Sequence, residues 1–298
     1  MPAIRVLVDC ENQLGECPVW DGPAERLYWV DSIAGEIWRC AADGSDLARW
    51  TLPAAIGSMA LRAGGGAIVA LETGLHLFDF ETGALSLVAH PEAGLDDVRL
   101  NDGAVDSRGR LVIGSLDMGT IDDPVETRDP RGSLWRLDPD LSLHRLADGV
   151  SIGNGPCWSP DGRLFYFTDT NVSTIFVYDW DAEQGTATGR RALVIAEPEE
   201  MPDGCVLDTE GYLWSVFNGP YTGLGQVRRY APDGRLDRTI KMPMPRPTSL
   251  AFGGPDLDIL FVTSMTIPSA VPSTDLDGRL FAISGLGVRG LPEPRFAG

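Results

Sequence analysis

Residues 151 to 162 read SIGNGPCWSPDG, with Asn154 set between two glycines and followed by a proline. Glycine permits positive φ and proline fixes φ, so the stretch either makes a plain turn or holds an amide oxygen at a fixed point for binding. Comparable short motifs recur along the chain: GECPVW with Glu16, GSMAL with Ser58, NDGAV with Asn101, PDGCV with Asp203 and TSLAF with Ser249. If the fold brings these residues together, carboxylate and amide oxygens converge, which suits a hard or borderline divalent cation. The competing reading is turn capping, which Asn and Asp do routinely. A serine or cysteine nucleophile fits less well. His76, His90 and His144 are out of phase with the polar set.

The elements that must position these residues are short strands. Long helical patterns are nearly absent, and aromatic or β-branched runs are bounded by Gly, Asp, Pro and Asn. One run recurs at Leu27 (LYWVDS), Ile68 (in AIVALE), Leu111 (LVIGSL), Leu164 (LFYFTD), Leu213 (LWSVFN) and Leu260 (LFVTSM). Its spacing of roughly 41 to 53 residues is that of propeller repeats. Turn signals precede several of these runs: DGPAE, DSRG, SPDG and DTEG. The reading is an all-β, six-bladed β-propeller forming one domain over residues 1–298. IRVLVD near the N-terminus lacks a blade of its own and the sixth unit is a strand short, so this strand is expected to close the last blade.

Taking the recurring run as the second strand of each blade puts the innermost strand just before it. Ten residues before Ile68, Leu111, Leu164 and Leu213, and eleven before Leu27 and Leu260, stand Ser58, Asn101, Asn154, Asp203, Glu16 and Ser249. The shared phase predicts a polar ring at a central channel. Two long loops, 117–131 and 265–277, are expected to overhang the channel mouth as lids from the third and sixth blades.

The 298 residues, 43% of them hydrophobic, suffice for a sizeable core. A formal charge of −19 without any basic run argues against nucleic acid and anionic membrane as partners. No long apolar segment opens the chain, and a soluble cytoplasmic protein is expected. Cys10, Cys17, Cys40, Cys157 and Cys205 lack CxxC spacing and read as small core residues.

The motifs LGECPVWD, RLYWVD, RLNDG, GNGPCWSPDG, MPDGCVLDTEGYLW and the C-terminal GLGVRGLPEPRFAG resemble the SMP-30/gluconolactonase family of regucalcin-like propellers nearly end to end. The resemblance implies that Glu16, Asn154 and Asp203 bind one divalent metal (calcium, zinc, manganese, magnesium or ferrous iron) and that Arg99 and Asn101 contact a sugar-like substrate. It further implies hydrolysis of an aldonolactone to the open acid, with Asp203 or metal-bound hydroxide as base. Where regucalcin-type members carry acidic residues after a G-T-M stretch, this chain has Met118 and Gly119, and Asp117 is the substitute candidate. Two alternatives remain open: a diisopropyl-fluorophosphatase-like phosphotriesterase, and a calcium-binding propeller without turnover.

Overall fold

The computed structural model describes every residue except 1, 122, 124–126, 198, 220–222, 224 and 269. Among the described residues, strands β1 to β24 build six four-stranded antiparallel sheets, the blades of a β-propeller. Blade 1 runs β2 (Gly15–Asp21), β3 (Arg26–Asp31), β4 (Glu36–Ala41) and β5 (Ala48–Thr51). Blade 2 holds β6 (Ile56–Leu61), β7 (Ala67–Leu71), β8 (Gly74–Phe78) and β9 (Leu85–Ala89). Blade 3 is β10 (Val98–Val105), β11 (Leu111–Asp117), β12 (Gly132–Leu137) and β13 (Leu143–Val150). Blade 4 follows with β14 (Gly153–Trp158), β15 (Leu164–Asp169), β16 (Thr174–Asp181) and β17 (Thr186–Ile195). Blade 5 comprises β18 (Met201–Leu207), β19 (Leu213–Asn218), β20 (Gln226–Tyr230) and β21 (Leu236–Lys241). The last sheet takes β22 (Pro247–Gly253), β23 (Ile259–Ser264) and β24 (Leu280–Ser284), and is completed by β1 (Ala3–Val8). The recurring hydrophobic runs are the second strands, and the N-terminal strand closes blade 6, as expected.

Burial falls from the first strand of each blade to the fourth. All six residues of β6 are buried, whereas most of β17 is exposed. A strand covered on both faces needs a continuous apolar run, and an outer strand needs only alternation. The turns that join first to second strands use glycine where the backbone demands it. Gly162, at φ 68°, closes the SPDG turn by donating its N–H to Ser159 O.

The chain packs as two units. Met1–Ala55 with Ala196–Glu293 contains blades 1, 5 and 6, and Ile56–Ile195 with Pro294–Gly298 contains blades 2, 3 and 4. In the first unit, Trp20 stacks on Phe261 and Trp214 meets Phe252 edge-on. In the second, Phe165 is fully buried among Trp158, Tyr178 and Trp180. Cys17, Cys40 and Cys205 are buried and Cys10 and Cys157 half-buried, which fits small core residues. No helix among the described residues is long and apolar enough to cross a membrane.

Candidate functional site

Each first strand carries its polar residue at a break in pairing. The register with the second strand shifts between Glu16 and Val19, Ile56 and Ser58, Leu100 and Gly103, Asn154 and Cys157, Pro202 and Cys205, and Pro247 and Leu250. A bulge adds a residue to one strand and re-aims a side chain. The backbone shows the distortion directly, since Cys17 has φ 47° and Gly155 has φ 55°, immediately after Glu16 and Asn154.

In the unit of blades 2 to 4, first strands approach closely. A Cβ on Gly57 would lie 2.7 Å from Asn101 O, so glycine is needed there. Asn101 Nδ2 donates to Asn154 Oδ1 at 2.8 Å and to Gly153 O at 3.0 Å. Asn154 Nδ2 donates to Thr170 Oγ1 at 2.7 Å, and Asn154 is only 4% exposed. Both ends of the Asn154 amide are therefore fixed. Its oxygen takes one hydrogen from Asn101 and, as an amide carbonyl with two lone pairs, retains acceptor capacity for a cation.

Asp102 stabilises the same corner. Its carboxylate accepts from Gly103 N at 2.9 Å and from Gly155 N at 2.8 Å, joining β10 to the bulge of β14. Burial pushes its pKa up to about 6, against the lowering effect of the two backbone N–H groups. Arg99, half-buried on β10, donates from Nη1 to Leu100 O at 3.1 Å.

Asp117 is fully buried at the end of β11, and its oxygens serve the adjoining loop. They accept from Gly119 N at 3.0 Å, Arg131 N at 2.9 Å, and the Arg131 guanidinium at 2.6 and 3.2 Å. Burial raises its pKa, but the Arg131 and Gly119 hydrogen bonds outweigh burial and hold the carboxyl below the usual range. Asp117 thus anchors the 117–131 loop, and the side chain it presents outward is Arg131, 41% exposed. Arg128 organises the same loop, donating to Thr120 O and Asn171 O. Of this expected lid, 122 and 124–126 lie outside the described residues.

In the unit of blades 1, 5 and 6, Glu16 is half-buried on β2 and Asp203 is 7% exposed on β18. A Cβ on Gly204 would lie 2.8 Å from Ser249 Cα, so β18 and β22 are also close. Asn218, at the end of β19, donates from Nδ2 to Asp203 Oδ2 at 3.1 Å. The second expected lid, 265–277, is fastened at its end by an ion pair of 3.2 Å between buried Arg246 and buried Asp277. Residue 269 of that loop lies outside the described set.

The expected metal donors are two carboxylates and an amide, all oxygen ligands, and their chemistry fits a hard or borderline divalent ion. Sequence reasoning missed Asp102, Thr170 and Asn218. Asp102 stood in view inside RLNDG, and Thr170 and Asn218 fall at or just after the end of a recurring second-strand run.

The profile of the SMP-30/gluconolactonase/LRE-like region matches residues 14–266. Regucalcin from Sus scrofa is 34% identical over 290 residues, covering 95% of both chains. L-arabinolactonase from Azospirillum brasilense is 36% identical over 264 residues, covering 88% of this chain and 84% of that one. The crystal structure of a calcium-binding regucalcin from Agrobacterium tumefaciens superposes with a TM-score of 0.88 at 29% identity, covering 99% and 97%. The motifs, the six blades and these end-to-end matches agree: the chain belongs to the SMP-30/gluconolactonase/LRE-like family.

Proposed function

We propose that the protein hydrolyses a sugar lactone, an aldonolactone, to the corresponding aldonic acid, using one divalent cation bound by Glu16, Asn154 and Asp203. The observation that carries this reading is the Asn154 amide, fixed by Asn101 on one side and Thr170 on the other so that its oxygen is preorganised to bind. The L-arabinolactonase relative supports a lactone as substrate, and the calcium-binding structural relative supports a cation. When bound, the cation supplies Lewis acidity that polarises the lactone carbonyl and stabilises the developing oxyanion.

The chain's own residues do the rest. Asp203 takes a proton from the attacking water as that oxygen bonds to the carbonyl carbon. The ring C–O bond then breaks and the proton passes to the departing alkoxide. Arg99 and Asn101 bind the ring hydroxyls, Arg99 as a fixed cation with several donors and Asn101 as an acceptor through its amide oxygen, since both Nδ2 hydrogens go to Gly153 O and Asn154 Oδ1. Asp117 contributes through Arg131, which it holds at the base of the 117–131 loop.

The test is acid release from gluconolactone, arabinolactone, galactonolactone and xylonolactone, with and without chelator, beside a phosphotriester control. Chelator-sensitive turnover of at least one lactone is expected. Cation binding with no turnover of any lactone would assign the protein a binding role instead, and preference for the phosphotriester would move it to the other hydrolase class.

A further inference from the structure

The last residue of each second strand pairs with the residue that opens the first strand of its blade. These pairs are Gly15 with Asp31, Val98 with Asp117, Gly153 with Asp169, Met201 with Asn218 and Pro247 with Ser264, while blade 2 has Leu71 in this place. Five blades thus carry an Asp, Asn or Ser at one structural position. In four of them the side chain binds nearby loop backbone. Asp31 accepts from Gln13 N and Leu14 N, and Asp169 accepts from Ser151 N and Ile152 N. Asp117 accepts from Gly119 N and Arg131 N, and Ser264 Oγ donates to Arg279 O.

Asn218 breaks this pattern. Its Nδ2 donates to Asp203 Oδ2, and its Oδ1 is buried with no donor from the described residues. The amide cannot simply be reversed, because a carboxylate oxygen only accepts and would then face another acceptor. The residue is 4% exposed, so the unmatched oxygen bears a desolvation cost that its counterparts avoid. A fold that needed only a loop cap has a better solution in blades 1 and 4.

We propose that Asn218 is a positioning residue for lactone hydrolysis: its N–H holds the Asp203 carboxylate in place, and its buried Oδ1 accepts a hydrogen from the attacking water. This rests on the reading of Asp203 given above. Asn218 forms no covalent bond. It orients the second hydrogen of the water whose first proton Asp203 receives, and so directs a water lone pair toward the carbonyl carbon.

The test compares wild type with Asn218→Leu, which removes both functions at similar volume, and with Asp31→Asn as a control for a blade-top residue whose carboxylate ties down the neighbouring loop at Asn12, Gln13 and Leu14. Three readouts are taken: calorimetric titration with Ca2+, Zn2+ and Mn2+ salts, melting temperature of the metal-free protein, and lactone kinetics. In Asn218→Leu the cation Kd should rise about 10- to 100-fold. Its kcat should fall with little change in KM, and its metal-free melting temperature should stay level or rise, because an unmatched buried oxygen is gone. Asp31→Asn should do the opposite, losing melting temperature and keeping cation affinity. If Leu does not fold at this buried place, Asn218→Ala gives the same readouts.

The proposal is overturned if Asn218 variants melt lower while cation affinity and kcat stay within twofold of wild type, which is the behaviour of a structural cap. A rise in KM at unchanged kcat also overturns it, by giving Oδ1 to a substrate hydroxyl. A wild type that binds none of the three cations and opens no lactone removes the underlying reading of Asp203, and this outcome is distinct because it appears before any variant is made.

Discussion

Asn154 and Asp203 are each steered by a neighbouring amide, Asn101 in one case and Asn218 in the other. In the proposed site each supplies one oxygen to the cation, so replacing either with Ala should lower both cation affinity and turnover by at least about 100-fold, checked by calorimetry and lactone kinetics. Arg99→Ala should keep the cation and lose about 10- to 100-fold in kcat/KM, the scale of one charge-assisted hydrogen bond. Loss of cation binding in Arg99→Ala would make it structural. Asp102 gives a pH signature. Because its folded pKa is raised, its contribution to stability is fully present below the unfolded value of 3.8 and is lost as pH rises through about 6. The stability of wild type relative to Asp102→Asn should therefore improve on acidification from pH 7 to 4, and a carboxyl NMR resonance should titrate near 6. Counting back from the strand repeats gave six equivalent polar positions, Glu16, Ser58, Asn101, Asn154, Asp203 and Ser249, and all six fall at breaks in first-strand pairing. It could not separate the roles of Asp117 and Asn218, which end their strands in the same way, because the difference lies in which partner each side chain reaches.

At the scale of the strand, the bulge in each first strand is the device that aims the polar residue. The periodicity of the sequence located these strands, but a bulge leaves no periodic signal, since the extra residue is absorbed without changing the composition. Glycines mark the consequences. A Cβ on Gly153 would come within 2.7 Å of Phe167 Cζ and 2.9 Å of Gly114 Cα. Gly153→Ala is expected to cost about 1–3 kcal/mol by overpacking and to displace Asn154, lowering melting temperature and cation affinity together. The loop after β11 is a separate matter. Asp117 and Arg131 tie its two ends, so replacing the interior of 117–131 with a short turn should leave the blade folded and change the ranking of lactones without changing cation affinity. An unchanged ranking across the four lactones would remove this loop from substrate recognition.

For the whole chain, the repeat of one aromatic and β-branched run was the informative signal, because each blade must bury its second strand and does so with the same pattern. The partition of the core was not legible: apolar runs in blades 1 to 6 look alike, yet residues 56–195 pack as one unit with Pro294–Gly298, and Met1–Ala55 with Ala196–Glu293 as another. The closure of blade 6 has a further consequence. Ala3 pairs with Ser284 and Ile4 with Ile283, so a sheet near the end of the chain takes its fourth strand from near the beginning. During synthesis that strand emerges early and waits, without its partner, until blades 1 to 5 have been made. Completion of blade 6 then acts as a late checkpoint, slow because its contact spans almost the entire sequence. A nascent chain stalled in blade 5 would carry β1 without the β24 that covers it, an unpaired strand edge of the kind that invites association.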